Sequence, residues 1–353
     1  MTQVTIALTG GGLALLLSLL LPFVIRPLLV RLGIMDIPSE RSSHERPVLR
    51  GLGLAALIAI LVGGSVSAAL YAFGYPSVSG WRTLVVILFA SLIAGLLGLG
   101  EDLKGVSVAV RSIGLLVIGV GSSVVLVWRP GGWSEDLPLV VKLLFVIYAI
   151  LFISSYTNVA NFMDGLNGIS GLHGVIAGLA FAAAGVLSDL PWLLTAGLVL
   201  AAAFGGFLPW NLTKPGAFLG DVGAYLLGAT TAVISFAALV TGVPILATIG
   251  PMIIYFGDVG PTLVKRMRKG HKWDEPHKEH VYQRLQQTGM SHLAASGVTA
   301  GFTLVASLLG LASYFVEPIW WLVLLVAGLA LVVLYNLLPR LVERVRGSEV
   351  REV

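Results

Sequence analysis

An all-α polytopic membrane protein with about eleven transmembrane helices (10–11) is the fold class this sequence predicts, on three observations. Hydrophobic residues make up 57% of the 353 and charged residues only 11%, where a soluble domain carries about 25% charged residues. Mean hydropathy is +0.93. Apolar stretches long enough to span a bilayer, about 20 residues each, recur near 5–30, 52–73, 82–99, 108–128, 138–157, 168–187, 191–208, 220–241, 243–264, 293–315 and 318–339.

Each element has its own reason. The stretch 5–30 is long, lacks a basic leading region and runs into further spans, so it reads as a span rather than only a cleaved leader. The spans from 52 onward are separated by loops near 31–51, 100–111, 158–167, 209–219 and 265–292, which carry almost all of the polar sequence. Of the 22 Lys and Arg, all but Arg82, Arg129 and Lys142 fall in those loops, at the helix ends beside them or in the tail from Arg340. The positive-inside rule then puts that face in the cytoplasm, the N-terminus outside and the C-terminus inside. The net charge of +4 is thus a topology signal and excludes nucleic acid as the expected partner. With no cysteine, disulfides and a thiolate nucleophile are excluded. No internal repeat or soluble module interrupts 1–353, which reads as a single integral membrane domain.

The chemistry-bearing residues gather on the same face. The segment 36–53, "DIPSERSSHERPVLRGLG", holds Asp36, Arg41, His44, Arg46 and Arg50, and 98–107, "GLGEDLKGVS", holds Glu101 and Asp102, with Arg111 following. The segment 158–171, "NVANFMDGLNGISG", holds Asn158, Asn161, Asp164 and Asn167; Lys214 and Asp221 lie in 211–228. Finally 270–285, "GHKWDEPHKEHVYQRL", supplies His271, Asp274, His277, Lys278, His280 and Arg284. Taken singly these have ordinary structural readings: basic residues set topology, the asparagines cap or turn helices, and Asp221 caps the span after it. Together, carboxylates recurring at span ends on one face are functional-site candidates. Carboxylates, carboxamides and cations in one place suit a hard divalent metal such as Mg²⁺ with phosphate: oxygen ligands for the metal, Arg, Lys and His for the phosphate oxygens.

These segments resemble, in order, the motifs of the polyprenyl-phosphate N-acetylhexosamine-1-phosphate transferases (MraY- and WecA-like). "NVANFMDGLNG" is similar to their N-x-x-N-x-x-D-G-[DN]-G signature, "FLGDVGAYLLG" to F-x-G-D-x-G-S-x-x-L-G, and "GLGED" to G-x-x-D-D. "DIPSERSSH" is similar to D-x-P-x-x-R-x-x-H, and "PHKEHVYQRL" resembles the form found in the WbpL-like branch that initiates O-antigen or related glycans. The chain departs from the pattern at Glu101 for the first Asp of its pair, Asn167 for an Asp and Ala224 for a Ser. The resemblance implies Asp221 and Asn161 as Mg²⁺ ligands, with Mn²⁺ as a substitute, and Asp102 with Glu101 at the lipid-phosphate end. It implies Arg111 on phosphate, Asp164 and Asn167 toward the nucleotide with Asn158 beside them, and His277, Lys278 and His280 on the diphosphate or sugar. Arg41 and His44 would help the lipid phosphate dock.

The implied reaction transfers N-acetylhexosamine-1-phosphate from a UDP-sugar to polyprenyl (undecaprenyl) phosphate, with UMP as the other product; a homodimer is compatible with it. One rival is a secondary transporter of a phosphorylated or anionic metabolite, which would place polar groups near the bilayer midplane on interrupted helices in repeated halves. Another is a CDP-dependent phosphotransferase, which would want a dense row of aspartates on one helix. Neither pattern is present.

Overall fold

A computed structural model describes residues 1–36, 47–75, 80–129, 134–213, 216–271 and 277–349. In chain order the helices are α1 Gln3–Leu20, α2 Pro22–Arg31, α3 Gly53–Gly74, α4 Gly80–Lys104, α5 Val108–Val127, α6 Leu139–Met163, α7 Ile169–Leu187 and α8 Pro191–Leu212. They continue as α9 Gly220–Leu239, α10 Ile245–Ile249, α11 Ile253–Arg268, α12 Val281–Gln287, α13 His292–Ala312 and α14 Trp321–Glu349. Between α2 and α3, β1 Met35–Asp36 and β2 Val48–Leu49 pair antiparallel, Met35 opposite Leu49. Among the described residues eleven helical segments are long and apolar enough to cross a membrane.

Helices dominate because a chain in hydrocarbon must satisfy its backbone polar groups internally. Their starts use hydroxyl caps where the sequence supplies them. Thr2 Oγ1 accepts the Thr5 N–H at 3.1 Å, Ser107 Oγ the Val110 N–H at 3.3 Å and Ser291 Oγ the Ala294 N–H at 3.1 Å. Small residues bring backbones close, as where α7 meets α8: a Cβ on Gly178 would lie 2.5 Å from the Ala201 nitrogen. The most enclosed helix is α9, buried along nearly its whole length between α4 and α6. Its N-terminus opens at the polar end of the bundle.

Several boundaries differ from the sequence expectation. The stretch 5–30 is two helices broken at Leu21, because Pro22 has no N–H to continue the ladder of α1. The stretch 243–264 is broken by a 3₁₀ turn, Gly250–Met252, at a Gly-Pro pair. The segments 100–104 and 158–163, expected in loops, are the last turns of α4 and α6, so Glu101, Asp102, Asn158 and Asn161 are helical residues. The last helix runs past 339 through Pro339 to Glu349.

Candidate active site

The site is built on a backbone junction. The strand β2 and the residues after it lie along 218–219: the Phe218 N–H donates to the Leu49 carbonyl at 2.7 Å, and the Gly53 N–H to the Leu219 carbonyl at 2.8 Å. This seats Arg50 beside the start of α9. Its Nε lies 2.7 Å from Asp102 Oδ1, and its Nη2 pairs with Asp221 Oδ2. The Asp102 side chain is 0% exposed, and besides Arg50 it accepts the N–H groups of Asp221 at 3.0 Å and Val222 at 2.9 Å. Those are first-turn donors with no partner inside their own helix. Asp102, carried by α4, thus caps α9, and Asp221, read from sequence as a cap candidate, sits inside the first turn with its carboxylate turned to Arg50 and Asn161. Asn161 Nδ2 donates to Asp221 Oδ1 at 2.6 Å. Gly220 makes the turn at φ +76, and a Cβ there would meet Asp102 Oδ2 at 2.6 Å and the Gly51 backbone at 2.7 Å, so only glycine fits between them.

Around this centre lie two further groups. Glu101 accepts from Arg111 Nη2 at 3.0 Å and from the Val106 N–H at 2.8 Å, which ties the α4–α5 turn to its own helix end. The Arg111 guanidinium stands 6.0 Å over the Tyr225 ring of α9. Asp164, just beyond α6, accepts from Ser170 Oγ at 2.6 Å. Burial pushes its carboxyl up to about 7, against the Ser170 hydrogen bond, and nearby Asp221 adds to the rise. For Arg50, burial works against the charged form, but Asp221 and Asp102 outweigh it and raise its pKa. The centre is therefore a carboxylate pair bridged by one guanidinium, with a third carboxyl that titrates near neutrality beside it.

The Asn167 side chain faces a different neighbour: Nδ2 donates to the Asn211 carbonyl at 2.6 Å and Oδ1 lies 3.4 Å from His292 Nδ1. Asn211 Nδ2 donates to the Ala217 carbonyl at 2.9 Å, which braces the loop entering α9. Asn158 Nδ2 turns back onto the Ser154 carbonyl at 2.8 Å within α6. Arg41 and His44, with Lys214 and Asp274, lie outside the described residues.

The last polar loop is anchored from below. Asp258, 0% exposed in α11, takes His280 Nδ1 at 2.9 Å, the Val281 N–H at 3.0 Å and the Tyr335 hydroxyl of α14 at 3.2 Å. A carboxylate acceptor fixes the proton on His280 Nδ1, leaving Nε2 as its second hydrogen-bonding atom. Arg266 pairs with Glu279 at 2.8 Å, and the Tyr282 hydroxyl donates to the Phe162 carbonyl at 3.0 Å, bringing the loop against the end of α6. His280 is itself buried, whereas His277 and Lys278 are half-buried, with the His277 ring centroid 4.7 Å from that of His280. The Glu279 N–H donates to His277 Nδ1 at 3.2 Å, and burial, with His280 and Arg266 nearby, pushes the His277 pKa down to about 4. His277 is then a neutral imidazole at pH 7, with its proton on Nε2.

Two expected outcomes follow. A depressed pKa means that the unfolded chain takes up a proton near pH 6.5 that the folded chain refuses until about 4. The stability His277 contributes is therefore complete above pH 6.5 and declines as pH falls toward 4; thermal unfolding of wild type against His277→Gln at pH 7.5 and 5 reads this, and equal pH slopes would contradict it. Asp258→Ala leaves His280, Val281 and Tyr335 without their acceptor and is expected to cost about 3 kcal/mol. An unchanged unfolding midpoint would show that this carboxylate braces nothing.

Sequence reading passed over several of these groups. Arg50 stands among the chemistry-bearing residues of 36–53, but the resemblance gives it no role, and Asn211 and Ser170 carry no motif signal by themselves. Asp258 lay inside a predicted span, 243–264, and a carboxylate at that depth is itself the signal.

The fold and site define a polytopic membrane protein with a carboxylate–guanidinium–carboxamide centre at one end of its bundle. Residues 84–239, which carry Glu101, Asp102, Arg111, Asn158, Asn161, Asp164, Asn167 and Asp221, match the profile of glycosyl transferase family 4. The chain is 26% identical over 298 residues to a probable undecaprenyl-phosphate N-acetylglucosaminyl 1-phosphate transferase of Bacillus subtilis, covering 79% of this chain and 78% of that one. It is 28% identical over 306 residues to a decaprenyl-phosphate N-acetylglucosaminephosphotransferase of Mycolicibacterium smegmatis, 77% and 73% of the two chains. A phospho-N-acetylmuramoyl-pentapeptide-transferase of Desulforudis audaxviator is 28% identical over 286 residues, 70% of this chain and 82% of that one. The chain is thus similar to proteins named as polyprenyl-phosphate N-acetylglucosamine-1-phosphate transferases and to a phospho-N-acetylmuramoyl-pentapeptide-transferase.

Proposed function

We propose that the protein transfers N-acetylhexosamine-1-phosphate from a UDP-sugar to polyprenyl (undecaprenyl) phosphate, at the cytoplasmic face, as the first membrane step of a cell-envelope glycan such as O-antigen. The observation that carries this reading is the convergence of Arg50, Asp102, Asn161 and Asp221 from four separate segments at one end of the bundle. An oxygen of the lipid phosphate attacks the β-phosphorus of the UDP-sugar; the bond from that phosphorus to the bridging oxygen breaks, and UMP leaves with the electron pair. The nucleophile is already anionic near neutral pH, so the residues mainly position groups and offset charge.

The donor set fits Mg²⁺: the Asp221 carboxylate and the Asn161 carboxamide oxygen are hard ligands, and such a cation usually takes only one or two from protein. Asn161 now offers its NH₂ to Asp221, and rotating the amide by half a turn offers its oxygen instead. When bound, the cation supplies charge neutralisation at the diphosphate. Arg50 and Arg111 hold phosphate oxygens, while Asp102 keeps α9 and Arg50 in register. Asp164 and Asn167 flank the nucleotide, His277 donates through Nε2 to the diphosphate or sugar, and Lys278 adds charge. His280 holds the loop that carries them, and Arg41 and His44 receive the lipid phosphate. The lipid tail runs outward along apolar helix faces, and the basic loops keep this end in the cytoplasm, where UDP-sugars are made.

The test is direct. Purified full-length protein with undecaprenyl phosphate, Mg²⁺ and a panel of UDP-sugars is expected to release UMP and form a lipid-diphosphate-sugar identifiable by mass spectrometry. EDTA should abolish the product and added Mg²⁺ or Mn²⁺ restore it. Full turnover in chelator would remove the metal role; no product from any UDP-sugar would overturn the reaction.

A further inference from the structure

The face of the bundle away from the carboxylate centre is poor in cations: its Lys and Arg are Arg82, Arg129 and Lys142, beside the acids Glu135, Asp136, Asp189 and Glu317. The fold brings two of those three to one place. A pocket of about 310 Å³ is lined by Arg82 and Thr83 at the start of α4 and by Val125, Trp128 and Arg129 at the end of α5, with Val86 along its wall. Because Arg82 and Asp102 stand at opposite ends of α4, this pocket lies ~30 Å along the helix from Asp102. Arg129 Nη1 donates to the buried Thr83 hydroxyl at 3.4 Å, and the Arg82 guanidinium sits 5.4 Å over the Trp81 ring. Burial and the charge of Arg82 both lower the Arg129 pKa. A lone arginine at a membrane boundary is an ordinary anchor, with its stem in lipid and its head in the interface. Here two guanidinium groups of like charge line one apolar-walled pocket.

We propose that this pocket binds one anionic phospholipid from the leaflet opposite the active site, its phosphate between Arg82 and Arg129 and an acyl chain along Val86 and Val125. Charge complementarity selects an anion. The walls select a lipid over a free anion: Val125 is 52% and Trp128 40% exposed, on helix surfaces that face hydrocarbon. Tryptophan also marks headgroup depth at this end of the bundle, at Trp81, Trp128 and again at Trp320 and Trp321 where α14 begins. The inference is independent of the reaction proposed above, because nothing in this pocket touches the carboxylate centre.

The experiment uses the full chain in mild detergent with equal amounts of dioleoylphosphatidylglycerol and dioleoylphosphatidylcholine, and native mass spectrometry reads the retained lipid. Wild type is expected to keep one phosphatidylglycerol in preference. Arg82→Gln with Arg129→Gln should lower that occupancy by at least ~10-fold, the scale set by two surface cations. Arg82→Lys with Arg129→Lys, and Lys142→Gln, should retain it. Should the double glutamine variant fail size-exclusion as a folded species, Arg82→Gln alone, at an exposed side chain, is expected to lose occupancy several-fold. Equal retention of the two lipids by wild type, or unchanged occupancy in the glutamine variants, would overturn the proposal. Displacement of the lipid by millimolar inorganic phosphate would also overturn it, in favour of a phosphate site.

Discussion

Asp221→Asn is expected to lower turnover by at least ~10²-fold, the scale of a lost electrostatic contact to a transition state, while leaving the fold intact. The two halves of that expectation have different sources. Asparagine keeps the volume of aspartate, and the N-terminus of α9 is capped by Asp102 rather than by Asp221, so the helix retains its N–H acceptors. What is lost is charge: the hard anionic oxygen that the proposed cation needs, and the partner that holds Arg50 on one side. The measurement is UMP release at saturating substrates, beside the thermal unfolding midpoint in the same detergent. Turnover within about 3-fold of wild type would return Asp221 to a structural role at the start of its helix.

Asp102→Asn should fail differently, in both stability and turnover. Three donors converge on the two Asp102 oxygens: the Asp221 and Val222 N–H groups and Arg50 Nε. An amide offers one oxygen and turns an NH₂ toward the rest, so a buried donor faces another donor and the half-buried Arg50 guanidinium loses one of its two counter-charges. The expected cost is about 2–4 kcal/mol. Turnover per folded molecule should also drop by ~10²-fold, because Arg50 and the first turn of α9 lose their common anchor. Glu101→Asp is the contrast: its contacts are the Val106 N–H and Arg111 at the rim, and a shorter carboxylate should keep most of the activity. A midpoint for Asp102→Asn equal to wild type would refute the account of Asp102 as the cap of α9.

The spans were legible because lipid imposes length and apolarity on each, and their ends were legible to within a few residues wherever glycine or a charge punctuated them. The breaks at Leu21 and at Gly250–Met252 were not, since hydropathy averages across a proline that interrupts hydrogen bonds without interrupting apolarity. In the candidate site, the motif residues Asp102, Asn161 and Asp221 stood out as polar groups at span ends. Arg50 did not, because charge pattern alone cannot separate a cation that sets topology from one drawn in by two carboxylates. That distinction arises from the backbone pairing of 49–53 with 218–219, a contact between segments far apart in sequence. Asp258 was hidden for the opposite reason: a single carboxylate inside an apolar stretch barely changes its average.

The Tyr335–Asp258 hydrogen bond has a consequence for biogenesis. Asp258 and His280 emerge from the ribosome well before Tyr335, which sits on α14. A chain arrested ahead of residue 335 therefore carries every residue of the carboxylate centre but lacks the hydroxyl that completes the seat of the His280 loop. The helix α14 acts as a keystone: the seat for that loop closes only when α14 has been laid beside the helices before it.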